Sequence, residues 1–136
     1  MRPFGRIMIS MAAAAMVPRS TAVAVDAKNV SPGALGINCE GSMKCHGQPG
    51  DTAALLVQYI NDIEPGRYYS NGQHIACRGN ICAFLQGVQG LMPVEGIKNV
   101  AHLIVEHKCT VCGSVPTGPD NDDRYGQLTF NFVENA

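Results

Sequence analysis

Apolar and polar positions along the chain predict two amphipathic helices and several short strands. In 51–63, "DTAALLVQYINDI", Leu55, Leu56, Tyr59, Ile60 and Ile63 recur at helical spacing. Asp51, after Pro49-Gly50, is the N-cap candidate, and Pro65-Gly66 stops the helix. Over 93–108, Ile97, Val100, Ala101, Ile104 and Val105 form one apolar stripe, and His107 and Lys108 suit a helix C-terminus. Between the two helices, "QHIAC" and "ICAFLQ" flank the turn dipeptide Gly79-Asn80. They read as an antiparallel hairpin with Cys77 and Cys82 facing each other. "TVCGSVP" follows the second helix as a short strand and turn. In "QLTFNFV", 127–133, Leu128, Phe130 and Phe132 alternate with Thr129 and Asn131, as in a half-buried strand. "ALGIN" at 34–38 is a further short strand candidate. The order strand, helix, hairpin, helix, strand, strand fits an α+β, two-layer α/β sandwich with two helices on one face of a mostly antiparallel sheet.

The N-terminus points to a compartment. Arg2 and Arg6 precede the apolar run "IMISMAAAAMV", and Ala22-Val23-Ala24 is a small-x-small cleavage signature. The three parts make a secretory signal peptide over 1–24. The run is shorter than the ~20 apolar residues a membrane span needs. Residues 25–33 read as a flexible leader, with the glycosylation sequon Asn29-Val30-Ser31 inside it, and 34–136 as one domain. Loss of Arg2, Arg6 and Arg19 with the signal leaves seven basic against eleven acidic residues, a net charge near −4. Neither a nucleic-acid footprint nor a polybasic membrane anchor fits that balance.

All six cysteines follow the signal peptide: Cys39, Cys45, Cys77, Cys82, Cys109 and Cys112. An even count in a secreted chain of this size predicts three disulfides. Cys109-x-x-Cys112 also has the spacing of a zinc site or a redox motif. Zinc-site thiolates compete with oxidation outside the cell. A redox motif needs the N-terminus of a helix to lower a thiol pKa, and here a helix ends at Lys108.

Other chemistry finds little footing. Ser42, Ser70 and Ser114 lack a nucleophile elbow such as Gly-x-Ser-x-Gly. His102 and His107, five residues apart on the second helix, do not share a face. Asp120, Asn121, Asp122 and Asp123 offer oxygen ligands, but the glycine falls at 126 and no glutamate closes a calcium loop. A solvated acidic turn is the plainer reading. No catalytic residue, metal or cofactor is expected.

"LGINCEGSMKC" at 35–45, "YYSNGQHIACRGNICAFLQ" at 68–86, "HKCTVCGSVP" at 107–116 and "GQLTFNFV" at 126–133 together resemble the killer protein 4 family of secreted fungal toxins. The resemblance covers about 35–135. It implies a five-stranded antiparallel sheet with two antiparallel helices. It also implies pairing of Cys39 with Cys109 and of Cys45 with Cys112, with Cys77–Cys82 closing the hairpin. The implied activity is growth inhibition through block of calcium channels, by a monomeric protein without catalysis or cofactor. Its partner would be a cell-surface protein of a target fungus or plant, such as a calcium channel. On that reading Arg78, His74, Arg67 and Lys44 are the target-binding candidates, offering positive charge to an acidic channel mouth. The plainer alternative is a set of exposed polar residues on and near a hairpin. The family ties activity to a lysine two residues before a cysteine, and Ile75 stands there in this chain. Together with the acidic net charge, that departure raises a second implied function, a secreted host-directed effector that keeps the scaffold without channel block.

Overall fold

The computed structural model describes residues 36–136. The signal peptide, the leader and Asn29 lie outside the described residues. The hairpin forms as the turn dipeptide dictates. Strands β2 (Ala76–Arg78) and β3 (Ile81–Gln86) flank Gly79, which takes a left-handed φ of 60° that glycine adopts without strain. β6 (Gln127–Phe132) lies antiparallel along the other edge of β3, and β5 (Gly113–Pro116) pairs with β6. The four-stranded order is β2-β3-β6-β5. A separate two-stranded ribbon joins β1 (Tyr68–Tyr69) to β4 (Met92–Pro93).

Register decides what each face of the sheet carries. Ile81, Ala83 and Leu85 oppose Phe132, Phe130 and Leu128, and Val115 opposes Leu128 from the other side. Period-two alternation places these residues on one face. Helices α1 (Thr52–Asn61) and α2 (Val94–Glu106) supply its cover. Leu56 and Ile60 of α1 and Ile97, Ala101 and Ile104 of α2 are fully buried in the same core as Ile81, Leu85, Leu128 and Phe130. The fold is therefore α+β, with two helices packed on one face of an antiparallel sheet.

Both helices are tied at their ends by side chains from elsewhere. Asp51 occupies the N-cap position of α1, yet its side chain makes no cap bond; it accepts from Arg78 instead. The Lys98 ammonium on α2 donates to the Ile63 carbonyl just past α1. Glu95, in the first turn of α2, accepts the Gly66 N–H at 2.9 Å. Its carboxyl is held below the usual glutamate value, chiefly by its own backbone N–H and then by that of Gly66. α2 ends in a Schellman motif, in which Lys108 N–H donates to Val105 O and Cys109 N–H to Ile104 O. Lys108 takes the left-handed position, φ 75°, where glycine is usual.

One expected element is shorter than the sequence implies. Of the strand expected at 34–38, residues 34 and 35 lie outside the described residues, and 36–38 hold a single bridge, Asn38 with Ser114, made by bonds of 3.0 and 2.9 Å. The Asn38 side chain explains the stop. Its amide donates to Gly36 O and its Oδ1 accepts the Glu40 N–H, which turns the chain away from the sheet.

Candidate functional site

Two disulfides bind the segment 39–45 to the loop after α2. Cys39 joins Cys109 and Cys45 joins Cys112, across 70 and 67 residues. The approach is close enough to require glycine. A Cβ at Gly41 would stand 2.8 Å from Cys112 Cβ, and one at Gly113 would stand 2.7 Å from Asn38 O. Between the bridges the chain makes a 3-10 turn, Met43–Cys45, capped by Ser42 Oγ. α1 is anchored to the same place, because Ala53 N–H donates to Thr110 O. A cleft of about 330 Å³ lies over the paired bridges, with His46 and Lys108 in its wall. With every sulfur bonded, Cys109-x-x-Cys112 presents neither a thiolate nucleophile nor metal ligands.

The third disulfide, Cys77–Cys82, joins residues directly opposed in the hairpin. His74 lies beside it, with an imidazole nitrogen within 4.8 Å of both sulfurs. The four target-binding candidates have different surroundings and share no partner. Arg78, half-buried, reaches Asp51 at 3.1 Å. Lys44 pairs with Glu134 at 2.9 Å and lies over the Phe132 ring. The Arg67 guanidinium sits over Tyr69, and its carbonyl accepts the Val94 N–H. His74 is exposed by the hairpin disulfide. Ile75 is a core residue, 9 % exposed, with its N–H on Ala83 O.

The acidic loop is a built structure. Asn121 Oδ1 accepts the Ile37 N–H at 2.9 Å and so clamps the N-terminal segment. Asp122 caps a second 3-10 turn, Asp123–Tyr125, and its carboxylate accepts from the Arg124 side chain. Those bonds, the side-chain one first, hold Asp122 below the ordinary aspartate value and raise Arg124 further.

This stapled scaffold has known counterparts. The Kp4 family model matches residues 21–134. The KP4 killer toxin of Ustilago maydis P4 virus is 33% identical over 108 residues, spanning 75% of this chain and 83% of the toxin. The chain belongs to the Kp4 family. It is a killer-toxin-like protein.

Beyond the cysteine segments and the cations, the structure adds the face of the sheet turned away from the helices. Phe84, Gln86, Ser114, Gln127, Thr129 and Asn131 share it by register. Its signal was present in "QLTFNFV": the polar half of the alternation is Thr129 and Asn131, whose side chains read as solvent-facing. Thr129 is only 4 % exposed and Ser114 only 6 %.

Proposed function

We propose that this Kp4-family chain is a secreted, non-enzymatic inhibitor that binds a protein on the surface of a target fungal or plant cell and blocks calcium entry. The match over 83% of the KP4 killer toxin carries the reading. The serines considered for catalysis have structural partners: Ser42 Oγ caps a turn, Ser70 Oγ bonds Gln73, and Ser114 Oγ bonds Thr129. Among the described residues, His74 and Arg67 form no ion pair with a carboxylate. Arg78 and Lys44 would have to exchange their carboxylate partners for the target's. Purified disulfide-intact protein, applied to a panel of fungi and seedlings with and without added calcium, tests the proposal. Growth inhibition relieved by calcium is the expected result. Inhibition indifferent to calcium would overturn the channel assignment.

A second reading rests on one observation. The position of the family's basic residue is Ile75, with its side chain in the core, so no charge can be offered there. That favours a host-directed effector on the same scaffold, binding a partner without blocking a channel. Full absence of growth inhibition by correctly bridged protein would select this reading.

A further inference from the structure

The sheet face opposite the helices carries a polar cleft of about 360 Å³. Its floor is the hydroxyl pair Ser114 and Thr129, 3.0 Å apart. One wall is the segment from Asn38 to Gly41, held by the bridge at Asn38 and by Ser42 N–H on Asn131 Oδ1 at 2.9 Å. The disulfides at Cys39 and Cys45 fix that wall at both ends. Asp123 stands at the rim by Gln127.

Hydrogen bonds set the direction of Ser114, Thr129, Gln86, Gln127 and Asn131 in the cleft. Thr129 Oγ1 gives its one hydrogen to Gln86 Oε1 at 2.7 Å, so Ser114 must donate to Thr129. Gln86 Oε1 also accepts from Gln127 Nε2 at 3.1 Å. With its oxygen occupied twice, Gln86 turns its NH2 to the cleft as a donor, while Gln127 keeps a free carbonyl. Asn131 Oδ1 is likewise used by the Ser42 and Phe132 N–H groups, which leaves its NH2 as a donor. Glu40 and Asp123 add acceptors. The cleft thus presents donors and acceptors side by side, and among the described residues no Lys, Arg or His lines it. Phe84, the register partner of Thr129, lies half-buried on the same face.

We propose that this cleft is a binding subsite for a neutral polyhydroxylated chain, a carbohydrate. An anion would find no counter-charge and two carboxylates. An apolar ligand would strand polar groups whose desolvation is costly. Sugar hydroxyls each donate and accept, which suits a row that offers both, and the apolar C–H face of a pyranose suits an aromatic neighbour. The site is separate from the cations considered above, so it stands or falls independently of the calcium reading.

The test is a titration of isotope-labelled, disulfide-intact protein, followed by amide chemical shifts. Hexaoses of β-1,3-glucose, β-1,4-N-acetylglucosamine and α-1,6-mannose are the probes, with calcium chloride as a parallel arm. The expected result is saturable shifts from at least one hexaose, confined to 38–42, 86, 114 and 127–131. Gln86→Leu should weaken that binding about tenfold, and Gln89→Leu, an exposed change outside the cleft, should leave it unaltered. No shift with any hexaose, or shifts elsewhere, would overturn the assignment. The same amides moving with calcium alone, and not with sugar, would overturn it in favour of a cation site. Because the wild-type shift map decides these outcomes, a variant that folds poorly does not blunt the test.

Discussion

The two faces of the four-stranded sheet are built from the same strands and do different work. Toward the helices, Ile81, Ala83, Leu85, Leu128 and Phe130 are fully buried in one apolar core. Away from them, Gln127, Gln86, Thr129 and Ser114 form a directed hydrogen-bond row, and Asn131 beside it holds a wall of irregular chain through Ser42. The inner face is covered by regular helices whose stripes the sheet itself selects. Among the described residues, no regular layer lies over the outer face. Its cover is the 38–45 segment, which carries little apolar side chain and is held by disulfides. Apolar burial stabilises one side of the sheet, and covalent bonds fix the other. A face freed from building the core can keep its polar groups available for a ligand.

The largest effect should come from breaking that covalent cover. Each long bridge closes about 70 residues when formed alone, worth about 4 kcal/mol by chain entropy. Once one is present, the other closes only a small ring through 39–45 and 109–112, worth about 3 kcal/mol. Removing either pair alone, as Cys39→Ala with Cys109→Ala, should therefore cost about 3 kcal/mol, and removing both about 7 kcal/mol. The loss is more than additive. Urea unfolding of the two double variants and the quadruple variant measures it. Simple additivity would show that the bridges do not close a common ring. The hairpin bridge, five residues apart in sequence, should cost about 2 kcal/mol and couple to neither.

Next in size is a test of the faces themselves. Phe130 and Phe84 lie on neighbouring strands and on opposite sides of the sheet. Phe130 is fully buried, so Phe130→Ala should destabilise by about 3–5 kcal/mol. Phe84 is half-buried, and Phe84→Ala should cost clearly less, since part of its ring already meets water. Equal losses in urea midpoints at unchanged m would deny the asymmetry on which the cleft depends.

The inner face was more legible in the sequence than the outer one, for a physical reason. Helical stripes such as Leu56 and Ile60, and strand alternation such as Leu128 and Phe130, are local patterns with a fixed period. They specified both helices, the hairpin and the last strand. The outer face is assembled from positions far apart in sequence, Asn38, Gln86, Ser114 and Thr129, which no period connects. The Arg78–Asp51 pair is hidden from the sequence in the same way. A cation on a hairpin looks free until the fold brings a carboxylate from 27 residues away. Over residues 36–38 the expected strand is reduced to one bridge, because the turn-making side chain of Asn38 outweighs the propensity of Ile37.

The smallest effect compares charge on the two sides of the sheet. Glu95 ties the start of α2 to Gly66 on the helix side, and Asp122 ties the loop whose Asp123 rims the cleft. Both carboxyls have lowered pKa values in the folded chain. A lowered folded value means that the unfolded state binds the proton first as pH falls. The stabilisation is thus complete above the ordinary carboxylate range and disappears as pH drops through the folded values. Thermal midpoints should be level from about pH 7 to 5 and decline below about pH 4. Glu95→Gln and Asp122→Asn should each melt below wild type at pH 7, with the gap narrowing as pH falls below the ordinary carboxylate range. Both groups are exposed, so either gap should be small and should shrink with salt. Loss of the cleft's sugar-induced shifts in Asp122→Asn alone, with Glu95→Gln unaffected, would show that the loop charge serves the outer face. Equal loss in both would mean that acid loosens the two layers as one unit.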